Sequence, residues 1–198
     1  MVTGAPKSNA TRPTREVILG IDPGSIFTGW GVVELEGGKL RHGAHGVIAT
    51  STALGQAERL KQIYRGIQDV IQKHRPAAMS LEKVFFSRNV QSALKLGQAR
   101  GVALLAAAES QIAVSEYSAT EIKVAVVGYG HATKEQIQKM VSALLCLRSP
   151  MRADAADGLA AAICHIHRRT FYKRTGGAVS RYAAKASWRN YVEVAAKR

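Results

Sequence analysis

The chain has 198 residues, 46% of them hydrophobic, with 28 Lys and Arg against 14 Asp and Glu and a formal net charge of +14. This length suits one domain with tails, and the apolar content excludes a disordered basic protein. The charge favours a nucleic-acid partner, and no apolar run reaches the ~18 residues that a membrane span needs.

Apolar and turn residues divide the chain between residues 16 and 170 into strands and helices. Short β-branched runs ended by turn residues predict strands over 17–21, 28–35, 40–50, 77–84 and 112–117. Apolar residues at helical spacing predict helices over 54–75, 87–110, 119–127, 133–147 and 153–169. Three successive strands followed by βα crossovers predict an α/β fold, a mixed five-stranded sheet with helices on both faces.

Most of the excess positive charge lies in two terminal segments. Residues 1–15 carry a net charge of +3 and residues 168–198 a net charge of +8. We interpret 1–15 and 171–198 as flexible basic arms that flank a folded domain over 16–170. Two arms of like sign favour non-specific contact with phosphates over a purely solubilising role.

The two cysteines, Cys146 and Cys164, bear on the cellular compartment in which we expect the protein. The first residues of the chain contain no apolar segment typical of a secretory signal. We therefore expect a cytoplasmic protein in which both cysteines are buried free thiols.

Four carboxylates lie where the predicted elements begin or end. Asp22 follows the first strand, Glu82 lies near the end of the fourth, and Asp154 and Asp157 share one face at the start of the last helix. Each has an ordinary interpretation by itself, as a turn residue or a first-turn helix acid. Together they favour a metal cluster, because an unpaired buried carboxylate needs a cation.

Hard oxygen ligands of this kind select Mg²⁺ or Mn²⁺ over zinc. Two such ions ~4 Å apart can activate a water and stabilise the leaving oxygen of a phosphodiester. The carboxylates therefore predict hydrolysis of a nucleic-acid backbone.

A local basic surface is predicted beside Glu82. Four cations and no acid occur between residues 83 and 100: Lys83, Arg88, Lys95 and Arg100. Phe85 and Phe86 lie in the same strand-to-helix loop, and stacking of a base on an aromatic ring contributes ~1–3 kcal/mol. We expect DNA contacts from Phe85, Arg88 and Arg100.

Six segments resemble one known family, in chain order: ILGIDPGS at 18–25, TGWGV at 28–32, LEKVF at 81–85, SALKLGQARG at 92–101, VVGYG at 126–130 and ADAAD at 153–157. The chain is similar over roughly 16–170 to the RuvC family of bacterial Holliday-junction resolvases. The resemblance implies an RNase H-like fold and a homodimer. It also implies Mg²⁺-dependent paired nicking of four-way DNA junctions in recombination and repair, together with the RuvA–RuvB branch-migration complex.

The resemblance also implies roles for particular residues. Asp22, Glu82, Asp154 and Asp157 match the metal-binding catalytic carboxylates. Phe85 matches an aromatic residue that stacks on a base at the opened junction, and Lys123 and Lys134 match lysines near the scissile phosphate. Gly158 stands where the family pattern leads us to expect Ala, at a cost of ~1 kcal/mol in helix propensity.

Two other functions remain open from the sequence. The run Asp22–Gly29 also resembles the first phosphate loop of ATP-binding proteins of the actin, Hsp70 and sugar-kinase type. That family needs two such domains around the nucleotide, more than this chain can supply. The second alternative is a non-catalytic DNA-binding module whose acids are structural.

Overall fold

The computed structural model describes residues 15–83 and 90–175. Five strands lie in this part of the chain: β1 (Glu16–Asp22), β2 (Phe27–Glu36), β3 (Lys39–Ala49), β4 (Ala78–Glu82) and β5 (Ala113–Tyr117). Its five helices are α1 (Gln56–His74), α2 (Val90–Glu109), α3 (Ala119–Val127), α4 (Lys134–Leu144) and α5 (Ala153–Arg174).

The strands form one mixed sheet in the order β3-β2-β1-β4-β5. β1 pairs antiparallel with β2, which pairs antiparallel with β3, as hairpin-connected strands do. β4 lies parallel to both β1 and β5, as expected for strands joined through helices. The predicted five-stranded mixed sheet is confirmed.

Alternating residues of the strands supply two hydrophobic cores, one on each face of the sheet. Ile18 and Val33 point to the face that α3, α4 and α5 cover. Leu19, Ile21 and Val32 point to the opposite face, which α1 and α2 cover. Helices therefore lie on both faces, as the sequence predicted.

The C-terminal ends of α5 and α4 differ from the predicted ones for local reasons. α5 continues to Arg174 because Phe171 is buried and the Thr175 hydroxyl donates a 2.9 Å hydrogen bond to the Phe171 carbonyl. α4 ends at Leu144 because the backbone turns into the left-handed region at Cys146, where φ is 53°. Cys146 is exposed as a result, so the expectation of two buried thiols is wrong for Cys146 and confirmed for Cys164.

α5 lies very close to β1 and β2 because small residues occupy both sides of the contact. A Cβ atom added to Gly158 would lie 2.7 Å from the Cα atom of Trp30 and 2.9 Å from the backbone nitrogen of Gly31. The buried Ser80 hydroxyl donates a 2.7 Å hydrogen bond to the carbonyl of Ala161 and fixes the helix along the sheet. Gly158 therefore has a packing role that its helix propensity does not show.

Replacing Gly158 with Ala is expected to destabilise the protein. The gain in helix propensity is ~1 kcal/mol, but the new methyl group meets strand backbone, which cannot rotate away. Overpacking of this kind costs ~1–3 kcal/mol, so we expect a net loss of about 1 kcal/mol in the free energy of unfolding. Urea denaturation measures it.

Gly66→Ala in α1 is the matched control. Its added Cβ atom would meet the side chain of Ile48, 2.8 Å away, which can move, so this variant is expected to lose less stability than Gly158→Ala. A Gly158→Ala variant as stable as the parent protein would contradict the packing argument.

Candidate active site

The ends of two parallel strands and the start of one helix bring the four predicted carboxylates to one edge of the sheet. Asp22 ends β1 and Glu82 ends β4, and the paired residues before them, Ile21 and Leu81, place the two acids side by side. Asp154 and Asp157 lie in the first turns of α5, which covers this face.

Backbone contacts hold α5 at this edge. Gly20, two residues before Asp22, contacts the backbone of Gly158, and Gly29 contacts the backbone of Asp154. Because side chains two residues apart in a strand point to the same face, Asp22 points toward α5. The hydrogen bond from Ser80 to α5 places Glu82 on that face by the same argument.

Burial and the charges of neighbouring acids raise the pKa values of Asp22, Glu82 and Asp157. Burial and the charges of Glu82, Asp157 and Asp154 raise the pKa of Asp22 from 3.8 to about 8, against a smaller lowering by Lys134. Burial and the charge of Asp157 also raise the pKa of Glu82, and burial raises that of Asp157. Acids that are costly to ionise together form a site that a cation stabilises.

Hard carboxylate oxygens fit a divalent cation such as Mg²⁺. Among the residues that the structure describes, no three His, Cys, Asp or Glu side chains are close enough together to hold one metal ion as they stand. Instead, the Asp154 carboxylate accepts a 3.4 Å hydrogen bond from the Arg152 guanidinium, and the Asp157 carboxylate lies 3.7 Å from the Lys134 ammonium. A cation shared by these acids therefore requires their side chains to close toward one another.

Two lysines, Lys123 and Lys134, lie near the carboxylates. Lys134 begins α4 directly after Thr133, whose side chain caps the helix. The charges of Lys134 and Lys123 both lower the pKa of Glu82, which shows that both ammonium groups lie near it. Lys134 is 75% exposed, so it is accessible to a substrate.

The structure places Arg100 away from this site. Its guanidinium donates a 2.9 Å hydrogen bond from Nε to Glu116 on β5. Glu116 pairs with Leu81, whose side chain lies in the core under α1 and α2, so this ion pair is on the opposite face from Asp22. Phe85 and Arg88 lie outside the described residues.

Sequence reasoning missed two residues at the edge of the site, Phe27 and Arg152. The Arg152 guanidinium lies over the Phe27 ring, 4.4 Å from its centroid. Phe27 begins β2 and Arg152 directly precedes α5. The sequence did carry a signal for them, because Phe27 lies shortly after Asp22 and Arg152 lies two residues before Asp154, and both acids were predicted metal ligands.

Comparison with known proteins decides the family. The family model described as crossover junction endodeoxyribonuclease RuvC matches residues 18–165. The chain belongs to the RuvC family. Crossover junction endodeoxyribonuclease RuvC of Pelobacter propionicus is 49% identical over 174 residues, which cover 88% of this chain and 98% of that protein. The same enzyme of Geobacter sulfurreducens is 53% identical over 148 residues, 75% of this chain and 90% of the relative.

Solved structures agree with this membership. Thermus thermophilus RuvC in complex with a Holliday junction substrate is 37% identical, with a TM-score of 0.74 over 81% of this chain and 96% of that one. The yeast mitochondrial Holliday junction resolvase is 11% identical, with a TM-score of 0.60 over 79% of this chain and 80% of the other, and shares the fold. The RNase H-like fold predicted from the resemblance is confirmed, and the family is one of divalent-metal nucleases.

No helix in residues 15–83 and 90–175 is both long and apolar enough to span a bilayer.

Cation affinity at this site is expected to rise with pH. An ion held at this site would bind the ionised form of Asp22, whose pKa is about 8 without a cation, so below that pH each ion would have to displace a proton. Between about pH 6 and pH 8, the Mg²⁺ concentration for half-maximal cleavage should fall by up to tenfold per pH unit. Cleavage titrated with Mg²⁺ at several pH values measures this. A half-maximal concentration independent of pH would contradict the shifted pKa.

Proposed function

We propose that this RuvC-family chain resolves four-way (Holliday) DNA junctions by paired symmetric nicks in homologous recombination and DNA repair. The main support is the sheet edge where Asp22, Glu82 and the two α5 acids lie, in a chain related to a RuvC solved with a Holliday junction. The chemistry is hydrolysis of phosphodiester bonds.

Asp22, Glu82, Asp154 and Asp157 are the residues that would hold two Mg²⁺ ions, with Mn²⁺ able to substitute. Such ions, when bound, activate a water and stabilise the leaving oxygen. The raised pKa values of Asp22, Glu82 and Asp157 support this assignment, because burial and mutual repulsion make these acids costly to ionise and a bound cation offsets that cost.

The cations and the aromatic residue have separate roles in this proposal. Lys123 and Lys134, beside Glu82 and Asp157, bind the phosphate that is cut. Phe85 stacks on a base at the opened junction centre, and Arg88 contacts the backbone nearby. Arg100 is kept as a proposed DNA contact at a distance from the carboxylates, because its ion pair with Glu116 lies on the opposite face of the sheet.

One assay tests this function against the two alternatives. A labelled four-way junction and a duplex of matching sequence are incubated with the protein and Mg²⁺ or a chelator, and ATP hydrolysis is measured in parallel. We expect symmetric nicks in the junction alone, dependent on Mg²⁺, and no ATP hydrolysis. Binding without nicks would favour a DNA-binding module, and ATP hydrolysis would favour the nucleotide-binding family.

A homodimer supplies the two active sites that paired nicks require, and α2 has a surface suited to it. Opposite its buried face, α2 exposes apolar and small residues at helical spacing: Val90, Leu94, Gly97, Gly101, Leu105 and Ala108. Leu94 is 63% exposed, and added Cβ atoms at Gly97 and Gly101 would meet no atom within 4 Å. We assign this α2 stripe to the dimer interface, since glycines let a second helix approach closely.

Leu94→Glu is expected to separate the dimer. The change places a charge in the centre of the α2 stripe, where burial without a partner costs several kcal/mol. Light scattering after size-exclusion chromatography should show the mass halved, with unchanged circular dichroism, and nicks should become unpaired. Gln72→Glu, which adds the same charge on the exposed side of α1, is the control. A Leu94→Glu protein that remains dimeric would exclude this interface.

The remaining partners follow from the family assignment. We propose that the protein acts in the cytoplasm with the RuvA–RuvB branch-migration complex, which delivers the junction. Residues 1–15 and 171–198 are assigned to basic arms around the nuclease domain; the described part of the second arm, residues 171–175, completes α5 and its cap.

A further inference from the structure

Phe27 and Arg152 form a cation–π pair beside Asp154, whereas Lys134 lies beside Asp157. Phe27, Gly29 and Gly31 lie on one face of β2, and Gly29 contacts Asp154, so the ring of Phe27 lies beside the first turn of α5. The Arg152 guanidinium lies over this ring, with its central carbon 4.4 Å from the ring centroid, and also reaches the Asp154 carboxylate at 3.4 Å. Each of the two α5 acids therefore has a cation beside it.

Neither residue is explained by stability. Arg152 precedes α5 but makes no side-chain cap hydrogen bond within the described residues, and a cation at a helix N-terminus is electrostatically unfavourable. Its side chain is 57% exposed, and ion pairs this exposed contribute little. Phe27 is itself 42% exposed, so its ring is not needed to fill the core.

The geometry points to Arg152, held against the Phe27 ring, as the residue that binds a backbone phosphate next to the scissile phosphate, on the β2 side of the carboxylates. This inference rests on the proposed cleavage of DNA by the same site. The Arg152 guanidinium has five N–H donors, of which one contacts Asp154, and its side chain is 57% exposed, so further donors can reach a ligand from solvent. Those N–H groups match two oxygens of one phosphate.

Arg152→Gln tests the contact through affinity and salt dependence. Binding is measured on a four-way junction in an Asp22→Asn background, and cleavage is measured in the otherwise unchanged protein. We expect junction affinity to fall roughly tenfold, the lower end for a hydrogen bond to a charged group, and the salt slope to fall by about one unit. The KM for junction cleavage should rise as the affinity falls, while kcat should stay within about twofold of the parent value.

Arg148→Gln is the matched control, because it removes the same charge from an exposed position four residues earlier in the α4–α5 connection. Its effect on affinity is expected to be less than about twofold, the size of an exposed electrostatic contribution. Equal losses in the two variants would overturn the inference, because they would show a general effect of charge. Cleavage by the unchanged protein tests the proposed function separately.

Phe27→Leu tests the role of the ring. Leucine keeps an apolar side chain but removes the stacking surface, so junction affinity should fall about threefold, as for removal of an exposed cation–π interaction. In the Arg152→Gln background, Phe27→Leu should have no further effect, since the ring acts through Arg152. An equal loss in both backgrounds would show that Phe27 acts independently and would overturn the paired role.

Discussion

Asp22→Asn is expected to abolish cleavage while junction binding stays intact or becomes tighter. The loss should be roughly a thousandfold or more, because the stabilisation that bound ions give a phosphodiester transition state is several kcal/mol. The variant also removes a negative charge that faces the DNA backbone, which favours binding. Nicking rates and equilibrium binding to the same labelled junction measure the two effects.

The same variant has a second consequence in the metal-free protein. The folded-state pKa of Asp22 is about 8, above its ordinary value of 3.8, so the folded protein holds a proton there that the unfolded chain releases. Stability therefore falls as pH rises from about 4 to 8 and is then level. Asparagine does not ionise, so the stability advantage of Asp22→Asn over the parent should grow across this range.

Asp69→Asn controls for a general effect of charge, since Asp69 is an exposed acid on α1. This variant is expected to change neither cleavage nor the pH dependence of the thermal midpoint. If Asp22→Asn weakened binding and cleavage by the same factor, Asp22 would be a structural residue and the catalytic assignment would be wrong.

The position of the carboxylates was predictable because local signals defined it. Pro23 and Gly24 end β1 directly after Asp22, and the β-branched runs before Asp22 and Glu82 identify two buried strands. Parallel pairing of those strands then brings their ends together. The spacing of Asp154 and Asp157 predicted their common helix face independently.

The features that were not predictable depend on contacts between distant segments. Arg100 belongs to a run without acids, yet its partner Glu116 comes from the neighbouring strand β5. The packing role of Gly158 depends on how closely Trp30 of β2 approaches it. Phe27 and Arg152 are likewise far apart in sequence and meet at the edge of the site. No local pattern encodes such pairs.

Removing residues 176–198 is expected to flatten the salt dependence of DNA binding. This segment has five Lys and Arg residues against one acid and contains Tyr182, Trp188 and Tyr191. Each phosphate that the protein no longer neutralises lowers the salt slope by ~0.9, so a segment that neutralises a few phosphates accounts for roughly two to four units. Truncation after Thr175 leaves the α5 cap intact. Because binding to phosphates carries no sequence information, affinity for duplex and junction should fall by similar factors.

Nicking at saturating protein should survive this truncation, since every proposed metal ligand precedes residue 158. A full-length variant with all five cations changed to Gln provides the control. It keeps Trp188 and Tyr191, so it should reproduce the flattened salt slope without any change in thermal midpoint.

The alternative is that this segment docks as a helix on the body or on the branch-migration partner through Trp188, Tyr191 and Val192. A groove lined by Ile18, Leu35 and Ile166 lies beside the end of α5, but Arg169, Lys173 and Arg174 also line it, against Glu16. A basic segment is repelled by such a surface, whereas a DNA backbone is attracted to it. An unchanged salt slope together with a lower thermal midpoint after truncation would identify the docked helix and rule out the DNA-binding arm.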